Sequence, residues 1–205
     1  MILITGAARS GTSLTTRILQ EHGCYLGNEK DINSLNENTA IRQNILKPYL
    51  SSVGADPMGQ FPLPDTDHLP SQLGLRDKVL AHFKGGPEPY AYKDAKLTLV
   101  WPVWAEAFPD AKWVIVRRKA ERIADSCIRT NFMKAHGTDK QGWLGWVREH
   151  ERRFMAMKQK VNAIEVWPDA YIAAPNAFQP VAAFLGLKFD ADIVNENVRP
   201  SAWHG

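Results

Sequence analysis

Met1-Ile2-Leu3-Ile4-Thr5-Gly6-Ala7-Ala8-Arg9-Ser10-Gly11-Thr12-Ser13-Leu14-Thr15-Thr16-Arg17-Ile18-Leu19 reads as strand, loop and helix in immediate succession. Ile2, Leu3, Ile4 and Thr5 form the short apolar, β-branched run of a buried strand, and Gly6 ends it at a turn that side chains resist. A helix must then begin near Gly11. Leu14, Ile18 and Leu19 fall at i, i+4 and i+5 on one face, with Ser10 or Thr12 placed to cap the first turn. Such a helix start offers unpaired backbone N–H groups and the positive end of the helix dipole, which together suit phosphate or sulfate.

Gly6 and Gly11, with Thr12 and Ser13 behind them, reproduce the frame of the nucleotide phosphate loop with one change. The lysine that would reach the β- and γ-phosphates is Thr12, so phosphoryl transfer from ATP or GTP would lack a main source of charge stabilisation. The cation of this loop is Arg9. A glycine turn between any strand and helix is the plain alternative, and the concurrence of Arg9, Ser10, Gly11, Thr12 and Ser13 weighs against it.

A chain of 205 residues, 44% hydrophobic and 23% charged, buries one core well and is too short for two comfortable ones. A single domain over 1–205 is expected. The net charge of +3 is well short of a nucleic-acid-coating protein, although a local basic cluster can hold a polyanionic small molecule. Cys24 and Cys127 lack metal-ligand spacing, which argues against a disulfide framework or a zinc site and for reduced thiols in the cytoplasm. There is no leader pattern and no run of about 18 apolar residues, so neither secretion nor a membrane span is expected.

Further strand signals lie at Tyr90-Ala91-Tyr92, at Lys112-Trp113-Val114-Ile115-Val116 and at Ile164-Glu165-Val166-Trp167, with helical patterns between them. This alternation predicts an α/β fold: three α/β/α layers around a central parallel sheet, P-loop NTPase-like. The second strand delivers Lys93 and Asp94 at the edge where open α/β sheets place ligands. The third ends in Arg117 and Arg118, where a nucleotide triphosphatase would often carry a Mg²⁺-holding aspartate. That change turns a cation site into an anion site. Ser126 stands eight positions beyond Arg118 on a helix read from Ala120 to Arg129, so guanidinium and hydroxyl can converge on one phosphate.

Elsewhere the reading is coarser. Asn28 to Asn38 reads as a loop over the nucleotide or acceptor face, and Glu37 as the opening of a helix capped by Asn36 or Asn38. Glu37 is equally readable as a solvated first-turn carboxylate. Prolines and glycines in 51–75 predict a long loop, either a lid or substrate wall or a plain connection. Leu97, Trp101, Trp104 and Phe108 recur at helical spacing and read as core. His150 falls on the apolar stripe of a helix over 143–161, as a packed, hydrogen-bonded histidine. A helix from Ala177 stops at Gly186, and the tail through Arg199 and His204 is basic and aromatic, suited to covering a nucleotide.

Ala8-Arg9-Ser10-Gly11-Thr12-Ser13 resembles the 5′-phosphosulfate loop of sulfotransferases that use 3′-phosphoadenosine 5′-phosphosulfate (PAPS), especially a bacterial branch reading Pro-Arg-Ser-Gly-Thr-Thr there. Lys93-Asp94-Ala95-Lys96 is similar to that branch's Lys-Asp-Pro-Arg, with alanine for proline and lysine for arginine. Arg118 with Ser126 matches the family's 3′-phosphate pair, Lys119-Ala120 replacing the usual Asp-Pro. Phe184-Leu185-Gly186-Leu187 matches a common end of these domains. The resemblance implies a PAPS donor, adenosine 3′,5′-bisphosphate (PAP) as product and no metal. The acceptor would be a small molecule, or a glycan or peptide, carrying a hydroxyl or amine. Arg9, Ser10, Gly11, Thr12, Ser13, Arg118 and Ser126 would hold the donor, with Arg9 also stabilising developing charge and Lys93 steadying the sulfuryl group. The cytosolic branch's histidine base has no counterpart here, which leaves Glu37 and Asp94 as candidate bases. Two other functions stay open: a PAPS- or bisphosphate-binding protein without turnover, and a P-loop small-molecule kinase.

Overall fold

The computed structural model describes residues 1–198. Four parallel strands, β1 (Ile2–Gly6), β2 (Ala91–Lys93), β3 (Lys112–Val116) and β4 (Ala163–Val166), lie in the order β2-β1-β3-β4. The register sets Ile4 beside Lys93, Gly6 beside Val116 and Val116 beside Val166, so all four strands end nearly level. β1 is central, and the chain goes to one side of it for β2 and to the other for β3. That reversal opens a crevice above the C-terminal end of β1, where α/β sheets bind ligands.

Alternation along the strands makes the three layers. Leu3, Tyr92, Trp113 and Ile115 face one core, against Ile45, Leu50, Trp104, Trp143 and Phe154 from the helical segments on that side. Ile2, Ile4, Val114 and Val116 face the other, against Leu14 and Ile18 of the Thr12–Glu21 helix and against Tyr171, Phe178, Val181 and Val194.

Several expectations shift in detail. Glu37 does not open a helix: Asn38 takes the cap, its side chain accepting from Ile41 N at 3.1 Å, and helix begins at Thr39. Helical backbone then runs over 39–52, with Arg42–Leu46 wound as a π turn. The aromatic stripe is split at Val100 between a 3₁₀ segment (Ala95–Leu99) and a helix (Trp101–Ala107) with Pro102 in its first turn, where a missing N–H costs nothing. His150 is buried on the Lys140–Lys160 helix, and Gly186 ends the Gln179–Leu185 helix at φ 79°. Arg199 and His204 lie outside the described residues. Among the described residues no helix is long and apolar enough to cross a membrane.

Candidate active site

A cleft of about 310 Å³ occupies the crevice above β1 and β2. Its floor is the loop after β1. Ser10 N donates to Ala7 O at 3.1 Å, and the chain turns there with Arg9 at φ 72° and Gly11 at φ 101°. Gly6 is required by space: a Cβ there would stand 2.4 Å from Val116 O and 2.6 Å from Ser10 Oγ. Neither Ser10 nor Thr12 caps the following helix; Gly11 sits at the cap position and brings no side-chain cap. The expected caps are thereby corrected, because the left-handed turn at Gly11 replaces the extended geometry that a side-chain cap uses. Backbone N–H groups at such a helix start suit an anion.

Arg118, at the end of β3, donates from Nη1 to Arg9 O at 3.0 Å, and Arg9 Nε donates to Ser126 Oγ at 3.0 Å. The loop after β1 is therefore joined to Arg118 and Ser126 through Arg9. Burial draws the Arg118 pKa down; Asp169 opposes this, while Arg122 and Arg9 add to it. A crowd of guanidinium groups is relieved by an incoming anion.

Lys93 stands on the β2 side. Its buried ammonium donates to Ser13 Oγ at 3.1 Å, Leu35 O at 2.9 Å and Glu37 Oε1 at 3.1 Å, which uses all three of its N–H bonds. Burial pushes its pKa down, against the pull of Glu37 and Asp94. Glu37 is only 6% exposed, so the solvated first-turn reading does not hold. Its Oε2 also accepts from Asn33 Nδ2 at 3.0 Å and from Arg42 Nη1. Asn33 Oδ1 returns to accept from Leu35 N and Glu37 N, and so shapes the 33–37 turn.

Arg42 Nε lies 3.5 Å from Asp94 Oδ2, and Asp94 Oδ1 accepts from Lys96 N at 2.9 Å and Lys96 Nζ at 3.1 Å. Charges thus alternate along Lys93, Glu37, Arg42, Asp94 and Lys96. Asp94 is fully buried behind the cleft wall, capping the 95–99 segment. Burial pushes its carboxyl up, but Lys96 and Arg42 outweigh that and hold it below the usual carboxylate range. Thr5 Oγ1 fastens this strand end to β1, contacting Thr98 Oγ1 at 2.8 Å and accepting from Thr98 N at 3.0 Å.

The wall therefore brings together Arg9, Gly11, Thr12, Ser13, Glu37, Lys93 and Arg118, while Ser10, Asp94 and Ser126 sit behind it. Arg17 and Arg42, which the sequence did not point to, and Lys96, which it placed in a motif without a role, also line it. No motif marks Arg42; the signal for it is the burial of Glu37 and Asp94, which only the assembled fold reveals. Six basic side chains face the cleft against one carboxylate, which suits a polyanion. Among the described residues no group of three or more His, Cys, Asp or Glu is placed to hold a metal ion.

A sequence profile of the sulfotransferase family matches residues 2–190. The chain belongs to the sulfotransferase family. It is thus a member of a transferase family, with the P-loop NTPase-like α/β fold of sulfotransferases already solved. Among curated protein sequences none matches it. Sulfotransferase STF1 from Mycobacterium tuberculosis H37Rv is similar at 14% identity and a TM-score of 0.55, over 98% of this chain and 70% of that one. Sulfotransferase STF9 from Mycobacterium avium aligns at 12% identity and a TM-score of 0.58, over 97% and 66%. Retinol dehydratase, solved with androsterone and the inactive cofactor PAP, aligns at 15% identity and a TM-score of 0.50, over 96% and 62%. This sulfotransferase chain therefore spans between 62% and 70% of the length of these neighbours.

Proposed function

We propose that this protein transfers the sulfuryl group of PAPS to a hydroxyl or amine. The observation that carries the reading is the junction at Arg9. The loop arginine is bonded to Ser126 through its side chain, and Arg118 is bonded to the loop arginine's own carbonyl, so the candidate groups for both phosphates meet at one residue. A donor with phosphate at both the 3′ and the 5′ position of one ribose matches that pairing.

Gly11, Thr12, Ser13 and Arg9 hold the 5′-phosphosulfate, and Arg118 with Ser126 holds the 3′-phosphate. The donor supplies the electrophile: the acceptor's oxygen or nitrogen bonds to sulfur as the sulfur–oxygen bond to the 5′-phosphate breaks, and PAP leaves with the electron pair. Glu37 takes the acceptor's proton, since it stands on the wall where Asp94 does not. Lys93 exchanges one of its present acceptors for the sulfuryl oxygens. Asp94 is a positioning residue, acting through Arg42. The scheme asks for no metal. We read residues 1–205 as one sulfotransferase-like domain and place it in the cytoplasm, a setting supported by the two buried free thiols.

Calorimetric titration with PAP, adenosine 5′-monophosphate and Mg²⁺·ATP, on wild type and Arg118→Ala, tests the donor site, and release of label from [³⁵S]PAPS tests turnover. Micromolar PAP binding, about −8 kcal/mol, that is lost in Arg118→Ala and unmatched by the other nucleotides supports the reading. Preference for Mg²⁺·ATP would move the kinase alternative to the front. PAP binding without label transfer to any acceptor would leave a bisphosphate-binding protein.

A further inference from the structure

Besides its basic groups, the cleft is lined by a set of apolar side chains. Met58 and Gly59 come from the loop after the 39–52 helical run, Phe132 and Met133 from the loop after the Ala120–Ile128 helix, and Trp146 from the Lys140–Lys160 helix. Leu35 closes the side next to Lys93, whose ammonium is bonded to the Leu35 carbonyl at 2.9 Å. The chamber therefore opens directly onto the Lys93 and Glu37 pair.

Its loops are tied in place. Asp56 accepts from Met58 N at 3.0 Å and Gln60 N at 2.9 Å, which fixes the turn carrying Met58. Gln60 Nε2 donates to Phe132 O at 2.7 Å, and Gln60 Oε1 accepts from Lys134 N at 2.7 Å and Ala135 N at 3.0 Å. Trp146 Nε1 donates to Gly59 O at 3.1 Å, and His150 Nδ1 bonds Trp146 O at 3.0 Å. These polar groups are engaged within the frame, and His150 is kept neutral by burial. Yet Leu35, Met58 and Phe132 stand 41%, 40% and 48% exposed around the mouth. A rim of apolar side chains held open by a hydrogen-bonded frame marks a ligand surface.

We propose, resting on the sulfuryl-transfer reading, that this chamber holds the acceptor and that the acceptor is a small apolar alcohol or phenol. Its hydroxyl meets Glu37 while its carbon skeleton lies against Met58, Phe132 and Trp146. A sugar is disfavoured, because its remaining hydroxyls would lose water against Met58, Phe132 and the Trp146 indole, whose N–H is taken by Gly59 O.

The test uses the 1-alkanols from butanol to octanol, phenol, 2-naphthol and glucose as acceptors of label from [³⁵S]PAPS. Direct binding of 2-naphthol is followed by its own fluorescence, and PAP binding by calorimetry. Each methylene added is expected to raise kcat/KM by up to about fourfold until the chamber is filled. Phenol and 2-naphthol are also expected as acceptors, glucose being at least a hundredfold poorer. Met58→Asp and Phe132→Asp each weaken 2-naphthol binding at least tenfold and leave PAP affinity within twofold. A flat alkanol series, preference for glucose, or Asp variants that bind 2-naphthol like wild type would overturn the assignment. If PAP binds and 2-naphthol does not, the chamber assignment fails and the donor reading survives. If 2-naphthol binds, is lost in the Asp variants, and PAP does not bind, the donor reading fails and the apolar chamber stands.

Discussion

Replacing His150 with glutamine isolates a pH-dependent part of the protein's stability. The imidazole is 2% exposed, lies 4.0 Å between centroids from the Trp146 ring, and bonds the Trp146 carbonyl through Nδ1. Burial pushes its pKa down to about 4; the Trp146 carbonyl and Glu149 oppose this and Arg153 reinforces it. In the unfolded chain the same group titrates near 6.5. Between those values the unfolded state carries a proton that the folded state refuses, so stability is full above pH 6.5 and falls as pH drops towards 4. The slope approaches about 1.4 kcal/mol per pH unit, which accumulates to about 2.5 kcal/mol between pH 7.5 and 4.5. Glutamine can keep a donor towards the Trp146 carbonyl and cannot titrate. Urea unfolding followed by tryptophan fluorescence at pH 7.5, 6.5, 5.5 and 4.5 would give the difference between the two proteins at each pH, cancelling the carboxylates they share. That difference is expected to move by about 2.5 kcal/mol in favour of the variant as pH falls. Parallel stability curves, or a shift in the opposite direction, would refute the reasoning.

Arg42→Met keeps most of the side-chain volume and removes the cation that Glu37 and Asp94 share. A loss of about 3–5 kcal/mol is expected at pH 7. Asp94, held low by its cations, gives stability above its unfolded pKa, so the deficit should shrink as pH falls below about 4, a trend that urea titrations at both pH values measure. Gly6→Ala forces a Cβ into Val116 O and Ser10 Oγ; about 1–3 kcal/mol of thermal stability should go, with at least tenfold of PAP affinity. Arg9→Gly removes a non-glycine residue from the left-handed region, so unfolding free energy should stay within about 1 kcal/mol of wild type while PAP affinity drops at least tenfold by calorimetry.

What was legible in the sequence was local. β1 shows in four consecutive residues, the turn after it in two glycines, and the Lys112–Val116 strand in its β-branched run. Arg118 and Ser126 are legible as a pair because strand end and helix face fix their separation, and the structure links them through Arg9. The burial of Glu37 was not legible. It depends on Asn33 shaping its turn and on Lys93 arriving from a strand 56 positions away. The apolar chamber was equally hidden, since Met58, Phe132 and Trp146 belong to three segments that share no period and meet through Gln60 and the Trp146 indole. The proline-rich 51–75 stretch announced a loop, and only its hydrogen bonds show that part of it is a wall.

The two candidate bases are separated by position more than by chemistry. Both are carboxylates, both are buried, and both contact Arg42. Asp94 follows β2 directly, so the sheet places it, and its carboxylate is committed to Lys96 and the cap of the next turn. Glu37 rides on a loop and gains its position from partners, with Lys93 on one oxygen and Arg42 and Asn33 on the other. Order therefore runs outward from the sheet. The strand fixes Asp94, Asp94 orients Arg42, and Arg42 with Lys93 orients Glu37 at the wall. A carboxylate held this way sits beside the loop after β1 without being part of it, so under the proposed sulfuryl transfer the acceptor loops could vary while the donor side keeps its geometry.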